Sequence, residues 1–223
     1  MMDQKVENAL DALIRTFGKV GDHDVTAFSD VAKSIFDSEQ VFTDKVAALD
    51  EAVDNSPQLE SLREILFDLL LINFFSEDVQ KLEEDYLDSP EWEAIEEETL
   101  ERGTELLNVL LYLKECEDEG IEPGLDDYLK EFLLVDEDEF QDEHHIYEDV
   151  IANQMLVESS YEEIARTAGT ISDSSEMKEL FYPFMSFFYE PEPGEKELEL
   201  YISKSIEPDF DAAVYTLLIS YNA

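Results

Sequence analysis

The sequence predicts an all-α fold: a multi-helix bundle, or irregularly stacked helical hairpins resembling an α-solenoid, with about ten helices. Three observations carry this. Apolar residues recur at i, i+3, i+4 and i+7 through nearly the whole chain. The 7 Gly and 7 Pro are sparse and mostly punctuate the apolar runs. Alternation of apolar and polar residues is confined to 197–202, the one segment where a strand competes with a helix.

Each element follows from its spacing. Val6, Leu10, Leu13, Ile14 and Phe17 mark a first helix, with Gly18 and Gly21 as its stops. Val25, Phe28, Val31, Ala32, Ile35 and Phe36 mark a second, and Val46, Leu49 and Val53 a third. Ser56-Pro57 reads as an N-cap with proline at N1. It opens a strongly apolar helix through Leu59, Leu62, Leu66, Leu69, Leu70 and Phe74, expected at the centre of the fold. Ser76 starts a shorter helix with Val79, Leu82 and Tyr86. Ser89-Pro90 starts another, running through Trp92, Ile95 and Thr99 into Leu106, Leu107, Leu110 and Leu113. Gly120, Pro123 and Gly124 break the chain. Beyond them come Leu125, Tyr128, Leu129, Phe132 and Leu133, then Phe140, Tyr147, Val150, Ile151 and Met155, then Tyr161, Ile164 and Ala165 up to Gly169. Three last helices are expected at about 175–189, 195–206 and 210–221. Leu66, Leu69, Leu70, Leu107, Leu110, Phe181, Phe184 and Leu217 are the expected core.

The chain reads as one domain over 1–223, with subdivision near 55 or 120 as the alternative. A faint repetition runs through it. Glu122-Pro123-Gly124, Tyr128-Leu129, Phe140 and Tyr147 find counterparts in Glu192-Pro193-Gly194, Tyr201-Ile202, Phe210 and Tyr215, and 66–95 is a looser third version. The unequal spacing fits shared composition better than a regular repeat.

Charge dominates the surface. There are 58 Asp and Glu against 14 Lys and Arg, a formal net of −44 over 223 residues. Residues 1–60, 61–105, 106–150 and 151–223 carry −8, −12, −14 and −10, so the acidity belongs to the whole fold and not to a tail. The 27 Leu, 14 Phe and 10 Tyr argue against an acidic disordered chain. A lone Cys116 excludes an intrachain disulfide. The longest apolar stretch, 65–75, is interrupted by Asp68 and Asn73 and is too short for a membrane span. No signal peptide is evident at the start of the sequence, and the expected location is cytoplasmic.

No catalytic motif emerges. The glycines build no dinucleotide or phosphate loop, and Cys116 lies between Glu115 and Glu117, which disfavour a thiolate. His144 with Glu148, or His145 with Asp149, share a helix face and are candidate metal ligands, although 145–149 lacks the second histidine of the zinc-peptidase pattern. The run 136–139 lacks the glycine and ligand spacing of a calcium loop. No cofactor is expected. Phe181, Phe184 and Phe188 suit a core, which is the preferred reading of the aromatic run, with a peptide groove at Tyr182 and Tyr189, outside that stripe, as the alternative.

The expectation is therefore a helical interaction or regulatory protein, not an enzyme, that binds a basic protein: an inhibitor, an immunity-type protein or a chaperone-like holder. The partner-binding candidates are Glu115, Glu117, Asp118 and Glu119, with Asp136, Glu137, Asp138, Glu139, Asp142 and Glu143. A sharper version is a DNA mimic, since half the net charge on one face matches about 37 Å of duplex. Direct binding of nucleic acid or an anionic membrane is disfavoured by the same field. The alternatives are a small-molecule-binding module, an enzyme without a recognisable motif, or acidity that serves solubility alone.

Overall fold

A computed structural model describes the backbone of residues 2–77, 89–100, 102–133 and 137–223. Among them are twelve α-helices and no strand: α1 Gln4–Gly21, α2 Thr26–Phe36, α3 Phe42–Asp54, α4 Arg63–Glu77, α5 Pro90–Thr99, α6 Leu106–Glu119, α7 Leu125–Leu133, α8 Glu137–Ala152, α9 Tyr161–Ala168, α10 Phe181–Tyr189, α11 Glu195–Lys204 and α12 Pro208–Asn222. Short 3-10 turns cover Pro57–Leu62 and Gln154–Glu158. Among the described residues, no helix is long and apolar enough to cross a membrane.

The first and last helices form the principal pairing of the fold. They run antiparallel: His23, just after α1, meets Asp209 at the start of α12, and Thr16 meets Thr216 midway at 3.0 Å. Ala9 and Ala12 on α1 and Ala212 and Ala213 on α12 are all buried, and side chains this small let two backbones approach closely. Gly18 does not stop α1; the helix continues to Gly21 and closes on Asp22 in the left-handed region (φ 55°). A Cβ at Gly18 would stand 2.6 Å from Val25, so its glycine serves close packing of the α1–α2 connection. The pair is flanked by α4, α6 and α10, and one contiguous set of buried side chains extends from Val6 to Tyr221.

Several boundaries differ from expectation. Ser56 offers no side-chain cap; Pro57 opens a 3-10 turn, and the α-helix begins only at Arg63. Ser89 does cap α5, accepting from the Trp92 N–H at 3.2 Å. That helix does not run on to Leu113, because Gly103 at φ 91° breaks it before α6. Residues 197–202 lie in α11, and α10 starts at 181 and not 175. The helix expected from Val79 to Tyr86 lies outside the described residues, and Ser76 sits in the last turn of α4. The expected core is buried except for Leu107, which is half-buried. Val31, at the edge of its stripe, is exposed, as is Met155, which follows the end of α8 in a 3-10 turn and so loses the helical phase.

Each of the two similar segments buries three tyrosines. Tyr112, Tyr128 and Tyr147 are buried together from α6, α7 and α8, and Tyr182, Tyr201 and Tyr215 from α10, α11 and α12. Tyr112 and Tyr182, like the two Glu-Pro-Gly turns, stand 70 residues apart. The bonding differs. Tyr112 grips the N–H and C=O of Gly124, and Tyr128 meets Tyr147 at 2.6 Å; Tyr182 stacks flat on Tyr201 and donates to its carbonyl. The two units touch through Tyr112, Tyr128, Phe184 and Phe188. The looser third version falls partly outside the described residues.

A candidate partner-binding surface

One face of α6 is apolar, with Leu106, Val109, Leu110, Tyr112, Leu113 and Cys116 buried. Helical spacing turns the rest of its last turn outward, so Glu115, Glu117, Asp118 and Glu119 are exposed. Gly120 (φ 67°) ends the helix, with the Ile121 N–H returning to the Cys116 carbonyl at 2.9 Å. The Tyr112 hydroxyl then holds Gly124, fixing the corner into α7. Ile121 (50% exposed) and Glu122 project from that corner, and Asp126 and Asp127 from the first turn of α7.

These acids are not equivalent. Asp126 and Asp127 sit at a helix N-terminus, where the macrodipole favours negative charge. The four on α6 lie against the carbonyl end, where the same dipole opposes each by about 0.3–1 kcal/mol at low salt. Two surface pairs relieve the corner: Lys5 to Glu117 at 3.1 Å and Lys130 to Asp127 at 3.2 Å. Glu115, Asp118, Glu119, Glu122 and Asp126 have no ion-pair partner among the described residues.

A second acidic cluster is neutralised from within. Arg102 chelates Asp50 at 2.9 and 3.1 Å, shares its Nε–H between both oxygens of Glu64 at 3.0 Å, and lies over the Phe67 ring. Arg63 pairs with Asp50, Asp54 and Glu60. Glu64 also accepts from the Gly103 N–H at 2.7 Å. Beneath it, fully buried Asp68 accepts from the Thr104 N–H and hydroxyl, and burial holds its carboxyl well above the usual range. A Cβ at Gly103 would stand 2.7 Å from Asp68. Glu105 accepts from the Tyr147 hydroxyl at 2.7 Å. Glu64 and Asp68 thus fasten residues 102–104 onto α4, Asp50 ties Arg102 to α3, and Glu105 ties the turn to α8.

Of the expected partner-binding residues, the structure gathers Glu115, Glu117, Asp118 and Glu119 into one turn. Asp136 lies outside the described residues, as do the side chains of Glu137, Asp138, Glu139, Asp142 and Glu143 on α8. The His144 side chain is likewise outside them. His145 and Glu148 are exposed, and Asp149 accepts from the Ser175 hydroxyl at 2.7 Å. Among the described residues, no group of three or more His, Cys, Asp or Glu is placed to hold a metal ion. Cys116 is buried, which with the nearby Glu115 and Glu119 pushes its thiol up.

The core reading of the aromatic run holds for Tyr182, which leaves no groove there, while Tyr189 is half-buried. Tyr182 is 2% exposed, and α10 is buried from Phe181 through Phe187 on every side, because it runs through the core. Sequence reasoning passed over the buried carboxylates Asp68 and Asp211. The first had a signal, a lone acid in an apolar run; the second lies four residues after Glu207 at a helix start, where a carboxylate can reach back to free N–H groups. The chain matches no protein-family model, no curated protein and no solved structure.

Proposed function

We propose that this is an interaction protein, not an enzyme, that binds a basic protein through the α6–α7 corner. The observation that carries the reading is the unneutralised acid at the carbonyl end of α6, beside an exposed apolar corner, where the α3–α4 acids are instead paired with two arginines. Charge placed where it opposes its own helix gains most from an arriving cation. Such a surface accelerates encounter and rejects acidic partners. Exposed Ile121 supplies an apolar contact among the charges.

The test is affinity capture from the native cell extract at low and moderate salt. The bait is either the parent chain or a variant with Glu115→Gln, Glu117→Gln, Asp118→Asn and Glu119→Gln. The parent should retain a basic protein that the variant loses. Equal retention by both, or no basic protein retained even at low salt, contradicts the reading. Displacement of the captured protein by duplex DNA would identify the corner as a mimic of nucleic acid.

A further inference from the structure

A small cavity of about 250 Å³ opens between the segment after α9, the start of α10 and the α11–α12 connection. Asp211 lines it, a carboxylate in a residue only 4% exposed. Oδ2 accepts from the N–H groups of Ile206 and Glu207 at 3.1 and 3.2 Å, capping α12. Among the described residues, Oδ1 has no hydrogen-bond partner. Phe210 and Tyr182 line it too; the Tyr182 hydroxyl is already committed to the Tyr201 carbonyl, which leaves its ring as the apolar surface. Glu179, Glu207 and Asp173 add carboxylates around the cavity.

One cation lines the cavity, and it is engaged elsewhere. Lys178 donates to the carbonyls of Ile171 at 2.7 Å and Ala168 at 3.3 Å, with Asp173 at 3.7 Å. No ion pair joins it to Asp211. An anion entering here would meet four carboxylates, and a neutral ligand would leave Oδ1 without a charged partner.

We propose that this cavity binds an alkylammonium group, its stem between the Phe210 and Tyr182 rings and its charge on Asp211 Oδ1. The chemistry is shared by a free alkylamine and the end of a lysine side chain. The site goes beyond the corner and is tested without any protein partner, so either reading can fail while the other stands.

Burial, with Glu207 and Asp209 nearby, holds the Asp211 carboxyl at about 7. At neutral pH it is therefore partly protonated. An ammonium that binds the carboxylate drives that proton into solution: Asp–COOH and R–NH3⁺ become the ion pair and H⁺. Proton release is a signature that diffuse attraction to an acidic surface lacks.

The experiment is calorimetric titration of the full chain with n-butylamine at pH 7, in two buffers of different ionisation enthalpy. The same titration is run with n-butanol, with butyrate and with lysine blocked at both its α-amino and carboxyl groups. Butylammonium should bind and release up to about half a proton, while butanol and butyrate should not bind. Asp211→Asn keeps an acceptor for the α12 cap; it should weaken butylammonium at least about ten-fold and abolish proton release. Binding of blocked lysine assigns the cavity to a side chain; its exclusion assigns the cavity to free amines. Equal affinity of parent and Asp211→Asn, equal binding of butanol, or no proton release would overturn the proposal.

Discussion

Asp50, Asp54, Glu60 and Glu64 crowd the α3–α4 region as thickly as Glu115, Glu117, Asp118 and Glu119 crowd the end of α6. Asp50 and Asp54, like the α6 set, lie near the C-terminal end of a helix that has no basic residue in its last turn, while Glu60 lies in the 3-10 turn and Glu64 in the first turn of α4. At α3, two arginines reach in from elsewhere in the chain and bind the acids in forks of 2.6–3.1 Å. At α6, one lysine pairs with one glutamate. Geometry thus separates acids that hold the fold from acids that do not. The first set can be removed only at a loss of stability; the second opposes its helix and is stabilised by nothing comparable.

The largest effect should come from breaking the neutralised cluster. Arg102→Ala leaves half-buried Glu64 without a guanidinium and Asp50 with Arg63 alone, and should cost about 2–3 kcal/mol. In a chain of this length that lowers Tm by roughly 5–10 °C, readable by calorimetry. A loss under about 0.5 kcal/mol would erase the distinction between the clusters.

Asp68 sharpens the same comparison through pH. Its folded pKa is raised, so the stability it contributes is full below the unfolded value near 4 and is lost as pH rises. Asp68→Asn keeps an acceptor for Thr104 and removes the proton linkage. Its denaturation midpoint should match the parent near pH 4 and exceed it progressively toward pH 8. Parallel curves would show that Asp68 titrates alike in both states.

Ser186 calibrates what an unpaired polar group costs without charge. Its hydroxyl is buried in α10 with no hydrogen-bond partner among the described residues, and Ser186→Ala should stabilise by about 1 kcal/mol. A destabilisation would mean that the hydroxyl is satisfied in solution.

The smallest effect concerns salt. Sodium chloride should raise the parent's Tm by screening self-repulsion. The four-amide corner variant should start higher at low salt, by up to a few degrees, and gain less from added salt. A larger gain in the variant would contradict the dipole assignment.

Helical spacing made the all-α class legible, because burying one face of a helix forces a period near 3.6 and leaves acids outward. The Ser89-Pro90 start, the stop at Gly120 and the buried leucines of α4 followed from local chemistry alone. Ser56-Pro57 looked the same as Ser89-Pro90 and behaved differently, since tertiary contacts chose a 3-10 turn. The break at Gly103 was hidden because its cause is long-range: Glu64 and Asp68 take the N–H groups of residues 39 and 36 positions away. Tyr182 fell outside the apolar stripe because a stripe argument assumes one solvent face, and residues 181–187 of α10 have none. The acids at the end of α6 were readable as a cluster. Their difference from Asp50 and Glu64 was not, because only the fold brings Arg102 to one set and leaves the other without it.

The central claim, that the corner acids serve a partner and not the fold, is tested most directly by association kinetics. The basic protein recovered by capture is mixed with the parent and with the four-amide corner variant in stopped flow across a range of salt, alongside thermal melts of both. The reading predicts association slowed at least about ten-fold in the variant at low salt, a flatter salt dependence, and a Tm no lower than the parent's. Unchanged association with an unchanged salt slope would contradict it and leave the acidity of α6 as a solubility trait.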